Sequence, residues 1–303
     1  MRRVFLPLMV LLGLSLGFAQ NAVTIGSKID TEGSVLAQII RLLLEQEGMP
    51  VEDRSGFGTT AVVRAALLAG EIDLYPEYTG TALTFFPDAE LGPDVSTDAE
   101  RLYQAVRELD AERNEVVWLG RSPANNTWAI AVPAALAQEH DLRTMADLAR
   151  YVNAGNPIKL AASQEFVDRD DALPAFERTY GFELSDEQLV ILAGGNTTQT
   201  ETAAARGQDG VNAAMAYGTD GALSALGLVA LTDPEGAVAI YQPAPIVRAD
   251  VLKAYPRLAE ILDPVFGSLD EATLSELNGR VAVDGENPAT VAREFLTTRG
   301  YLR

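Results

Sequence analysis

Asp73-Leu74-Tyr75-Pro76-Glu77-Tyr78-Thr79-Gly80-Thr81-Ala82-Leu83 is the most informative stretch of this 303-residue chain. Two tyrosines stand three apart around a proline. A Thr-Gly-Thr turn follows, and the residues after it read as the start of a helix. Aromatic faces attract a cation. Backbone N–H groups at a helix start, with hydroxyls beside them, attract an anion. Side by side, the two suit a small ligand that is cationic at one end and anionic at the other. A strand edge with packed tyrosines is the competing explanation.

The N-terminus points outside the cytoplasm. Arg2 and Arg3, an apolar run over 4–16 and the small residues Gly17 and Ala19 have the form of a secretory signal peptide spanning 1–19. No other run is long and apolar enough to cross a bilayer. The chain has no cysteine, which excludes disulfides and a lipid-anchored cysteine at the cleavage site. A periplasmic protein without a lipid anchor is expected. Removing 19 of 303 residues leaves 284, enough for two lobes with cores of their own.

Charge and composition narrow the chemistry. The formal charge of −20 becomes −22 once Arg2 and Arg3 are removed, a balance that disfavours nucleic acid and anionic lipid. His140 is the only histidine and lies in a polar stretch, so a surface position is expected. Without cysteine or a second histidine, zinc sites and Cys/His nucleophile pairs are excluded. The run Asp168-Arg169-Asp170-Asp171 lacks the glycine and glutamate spacing of an EF-hand. No cofactor is expected.

Strand-like and helix-like segments alternate along the chain, which predicts an α/β fold with largely parallel sheets. Strands are expected over 22–26, 72–75, 116–119, 128–132, 158–162, 189–192 and 211–216. Helices are expected over 31–47, 59–70, 171–180 and 200–206, and the C-terminal third (256–301) reads mostly as helix. Two places look like crossings between lobes, 121–126 and 217–233. They divide the chain into a first lobe of 20–124 and 222–303 and a second lobe of 125–221.

Several candidate ligand groups fall near strand ends and crossings. Gly56-Phe-Gly58-Thr-Thr-Ala61 fits a loose dinucleotide pattern, but the charged segment before it does not suit a central strand. A glycine turn beside a cleft is the better reading. Lys28 lies between the first strand and first helix, where open α/β sheets form their crevice. It can pair with a carboxylate or be a solvated loop residue. Asn126 and Trp128 stand at the first crossing, where the indole is either a cation partner or core. Arg169 is a natural carboxylate clamp, with local pairing to its acidic neighbours as the alternative. Tyr217 and Thr219 belong to the strand-and-turn Asn212-Ala-Ala-Met-Ala-Tyr217-Gly-Thr219-Asp220-Gly221. Tyr241 lies in a proline-bounded extended segment and is either a ligand group or packed.

Taken in order, Gly26-Ser-Lys28, Gly58-Thr-Thr, Asp73 to Thr81, Asn126-Thr-Trp128, Glu165-Phe-x-x-Arg169, Tyr217-Gly-Thr-Asp220 and Tyr241-x-x-x-Pro245 resemble the osmoprotectant substrate-binding proteins of ABC importers. The resemblance covers the whole mature chain and is closest to the osmotically induced branch. It implies a type II periplasmic-binding-protein fold, two α/β lobes joined by a two-segment hinge, that closes on a quaternary-ammonium ligand. It also implies a monomer that serves an ABC permease. By this resemblance Tyr78, Trp128 and Tyr217 match cage aromatics, while Lys28, Thr81 and Arg169 match carboxylate contacts. Trp128 replaces the usual tyrosine. The segment 197–205 has no aromatic where several members carry another cage tyrosine. The same fold holding an amino acid or another non-quaternary zwitterion is the alternative. A hydrolase using Glu77 with Asp73 or Asp220 is the third reading.

Overall fold

The computed structural model describes residues 22–92, 94–192 and 196–302. The signal-like segment 1–19 lies outside the described residues. In chain order the strands are β1 (Val23–Lys28), β2 (Val51–Gly58), β3 (Leu74–Tyr78), β4 (Val116–Trp118), β5 (Trp128–Pro133), β6 (Leu160–Ser163), β7 (Leu189–Leu192), β8 (Ala213–Tyr217), β9 (Leu228–Ala230) and β10 (Pro243–Arg248). They form two five-stranded sheets, ordered β2-β1-β3-β10-β4 and β7-β6-β8-β5-β9.

Both sheets are mixed, not largely parallel. β1 runs parallel to β2 and β3, and β6 runs parallel to β7 and β8. β10 is antiparallel to β3 and β4, and β5 to β8 and β9. Each of these two strands is the first after the chain changes sheets. Each therefore enters from the hinge end and runs against its neighbours.

The second crossing comes later than the boundary at 221 expected from the sequence. After β8 the chain forms the short helix Ala222–Ala225 and then β9, which pairs with β5 in the second sheet. Residues 222–230 therefore belong with the second sheet, and the return to the first sheet falls between β9 and β10. A three-residue strand after a glycine turn carries too short a pattern to announce itself.

The exposed, charged β2 is an edge strand, as its composition requires. Pro76 lies inside β3, beyond the end of the strand expected over 72–75. It is tolerated because β1 pairs with β3 only at Ile25–Leu74, and because Pro76 faces Pro245 of β10 across the ladder.

The helix α1 (Thr31–Gln46) organises the first lobe. The Asp30 carboxylate caps it, accepting from the Gly33 backbone N–H at 2.6 Å. Its residues Val35, Leu36, Ile39, Ile40 and Leu43 are buried. They share a core with Leu258, Leu262, Leu274, Val291 and Leu296 of the C-terminal helices. The second lobe closes around Met145, Leu148, Phe166, Phe176 and Met215.

A buried ion pair stiffens the first lobe. Arg64 donates twice to Asp110, which also accepts from Trp118 Nε1 at 2.9 Å. Replacing one member strands the other charge in the interior. Asp110→Ala is expected to lower stability by about 3–5 kcal/mol. A urea midpoint equal to that of the wild type contradicts this.

Candidate functional site

A cleft opens between the two sheets. The first lobe contributes Lys28 from the end of β1, Tyr78 from the end of β3, and Thr81 from the helix Thr79–Ala82. The first crossing contributes Asn126, and the start of β5 contributes Trp128. Arg169, Tyr217 at the end of β8 and Tyr241 of the returning segment complete that wall. Strand ends meet the hinge here, so side chains distant in sequence converge.

Eight of the nine residues singled out from the sequence line this one cavity. Thr219 does not. It is fully buried in the hinge, where its hydroxyl donates to Glu32 Oε2 at 2.5 Å. Tyr75, the other tyrosine of the opening stretch, is also core, its hydroxyl donating to Glu77 Oε2 at 2.8 Å. The exposed ring of His140 lies 4.8 Å from that of Tyr151, away from the cavity.

The aromatic rings form a continuous wall. Trp128 and Tyr217 lie 4.7 Å apart, tilted by 34°. Tyr241 meets Trp128 edge-on at 6.3 Å. Trp128 is only 4% exposed, and its Nε1 has no hydrogen-bond partner among the described residues. Tyr78 closes the opposite side.

The cations of the site are held by carboxylates. Lys28 is a buried strand-end residue, not a solvated loop lysine. Its Nζ lies 2.5 Å from Glu77 Oε1, 3.5 Å from Thr81 Oγ1 and 4.8 Å from the centre of the Tyr78 ring. Arg169 donates from Nε and Nη2 to the two oxygens of Asp171, at 2.9 and 2.7 Å. Its Nη1 donates to Glu165 Oε1 at 2.9 Å, and its guanidinium lies 5.6 Å from the Trp128 ring centre. The local ion pair and the cavity position, alternatives in the sequence, coexist. Glu77 also accepts from the Tyr78 backbone N–H. Asp73 accepts from the Thr24 backbone N–H and pairs with Arg248. Two of the three acids weighed as catalytic candidates, Glu77 and Asp73, thus have structural partners.

Glu32 was not recognisable as a site residue. It is 3% exposed and touches no cation among the described residues. Instead it accepts four hydrogen bonds. Oε1 takes Tyr78 Oη and Asn126 Nδ2, each at 3.0 Å. Oε2 takes Thr219 Oγ1 at 2.5 Å and Asn278 Nδ2 at 2.7 Å. Burial pushes its carboxyl up to about 7, even though the four donors pull the other way. Behind Tyr217, Asp220 accepts from the Tyr217 backbone N–H at 2.6 Å. Burial and the Asp220 carboxylate push the Glu201 carboxyl up, so Glu201 carries the proton of that pair. Glu201 occupies the helix Thr197–Arg206, the segment with no aromatic. Asp30, Thr60 and Glu165 also line the cavity, and none had been singled out as a site residue.

The two mixed sheets and the cavity between them are those of a substrate-binding protein. Residues 21–298 match the family described as the substrate binding domain of ABC-type glycine betaine transport systems, and the chain belongs to it. It is 50% identical over 286 residues to the glycine betaine-binding protein YehZ of Escherichia coli, spanning 94% of this chain and 93% of that one. The apo structure of that protein superposes with a TM-score of 0.69 over 92% of this chain and 99% of the other. A glycine-betaine-binding protein of Pseudomonas aeruginosa is 32% identical, over 94% of this chain and 91% of its own length. A structure described as a glycine betaine/carnitine/choline ABC transporter shares the fold, with a TM-score of 0.72 at 22% identity over 92% of this chain and 99% of that one.

The buried carboxyl predicts a pH response. The folded-state value of Glu32 lies above its ordinary 4.5, so its protonated form favours folding. That contribution is complete below about 4.5 and is lost as pH rises through about 7. Thermal stability is expected to fall between pH 5 and 8, by on the order of 3 kcal/mol from Glu32. Glu32→Gln should flatten the slope in calorimetric scans across that range. An equally steep slope in the variant contradicts the assignment.

Proposed function

We propose that this protein captures glycine betaine or a related quaternary-ammonium zwitterion between its lobes and delivers it to an ABC permease. It works as a secreted monomer, released by cleavage of residues 1–19, and catalyses no reaction. The observation that carries this reading is the joint presence, in one cavity, of the Trp128–Tyr217–Tyr241 wall and the cationic side chain Arg169. A methylated ammonium cannot donate hydrogen bonds and is held by ring faces. A carboxylate is held by a guanidinium edge. In this assignment Trp128, Tyr78, Tyr217 and Tyr241 take the ammonium. Arg169, with Lys28 and Thr81, takes the carboxylate, and Asn126 holds the hinge side. The names of the relatives above support the ligand class.

Each aromatic face contributes roughly 0.5–2 kcal/mol to a desolvated cation. Loss of one face then weakens binding about tenfold. Titration calorimetry with glycine betaine, choline, carnitine and proline betaine tests the reading. Binding of at least one is expected, with Trp128→Ala and Tyr78→Ala each weakening it about tenfold or more. No heat from any of the four up to millimolar concentration excludes the ligand class. An affinity for these ligands unchanged in both variants contradicts the cage.

A further inference from the structure

Arg169 has two edges. Nε and Nη2 are taken by Asp171 of its own lobe. Nη1 is the remaining edge, and it faces the cavity with Glu165. The same Glu165 Oε1 accepts from Thr60 Oγ1 of the first lobe at 2.7 Å. One carboxylate oxygen therefore joins the lobes by a guanidinium on one side and a hydroxyl on the other. Above it, the Arg169 guanidinium lies over the Trp128 ring, where an ammonium would lie. The Arg169–Glu165 pair thus reproduces, within the chain, the charges of a zwitterion.

We infer that Glu165 is an internal competitor, a carboxylate that occupies the Arg169 edge and the Thr60 hydroxyl until a ligand carboxylate displaces it. The inference rests on the betaine reading above and deepens it by naming a residue that sets affinity and ligand choice. Two features of the chain favour this role. Glu165 and Arg169 stand four apart, from the helix Gln164–Asp168 to the residue that ends it, so the pair forms without any movement of the lobes. The other cavity cation, Lys28, is held by Glu77, which is fully buried, so Lys28 meets a ligand with that pair intact. Exchange at Arg169 is the accessible step. A charge-assisted contact must be broken to make a similar one, so little net affinity results from the ligand carboxylate. A ligand with no carboxylate gains nothing from removing Glu165, and loses a nearby negative charge.

Three proteins decide the matter: wild type, Glu165→Gln, which keeps the shape, and Glu165→Ala. Each is titrated with glycine betaine and with choline, and each is measured without ligand by small-angle scattering. Both variants are expected to bind glycine betaine about fivefold more tightly or better. Choline affinity should stay the same or fall. The unliganded Glu165→Ala protein should be more expanded than the wild type, because the bridge to Thr60 is gone. Betaine affinity that is unchanged or weaker overturns the proposal, as does an equal gain for both ligands. If no protein binds either ligand, the betaine reading fails and the scattering decides: expansion upholds the bridge, and an unchanged radius of gyration overturns it.

Discussion

A buried carboxylate with no cation beside it has to be satisfied by hydrogen bonds, and Glu32 is satisfied by four. Those donors come from four separate parts of the fold: Tyr78 of β3, Asn126 of the first crossing, Thr219 of the turn after β8, and Asn278 of a C-terminal helix. One side chain on the first turn of α1 therefore fixes where the first crossing and the turn after β8 meet the first lobe. It also fixes the hydroxyl end of Tyr78, a ring of the proposed cage. Cage and hinge share an anchor, so the aromatic wall keeps its relation to Tyr78 only while that anchor holds. The low local dielectric that makes the hydrogen bonds strong also makes ionising Glu32 costly. Stability and site geometry are linked at this one group.

Each cation of the cavity around that anchor is already paired with carboxylates of the chain. Lys28 belongs to Glu77, and Arg169 belongs to Asp171 and Glu165. A zwitterion of no net charge can enter such a site by exchanging partners without leaving a bare ion behind. Ring faces supply the attraction that does not need to be exchanged. This division of labour suits a protein that must release its cargo as well as hold it, since part of the binding energy is returned to the chain when the ligand leaves.

Much of this was legible in the sequence because local patterns carry it. The alternation of elements pointed to an α/β fold and the two crossings to its lobes, while β2 stayed hidden because the charged run 51–55 lacks an apolar strand pattern. Residues at strand ends and crossings, such as Lys28, Trp128 and Tyr217, were recognisable by position. What stayed hidden depends on long-range meeting. Glu32 reads as an acid favouring a helix start. Its donors lie 46, 94, 187 and 246 residues away. Thr219 reads as a ligand group because its turn lies at a crossing, yet its hydroxyl points to that same carboxylate. Glu165 was legible only as a neighbour of Arg169, since its contact to Thr60 spans 105 residues.

A crystal structure of the protein with glycine betaine tests the central claim most directly. Expected is a trimethylammonium group against Trp128 and Tyr78, a carboxylate on the Nη1 edge of Arg169, and Glu165 turned away from Thr60. Betaine bound elsewhere, or bound with the Arg169–Glu165–Thr60 chain intact, contradicts it.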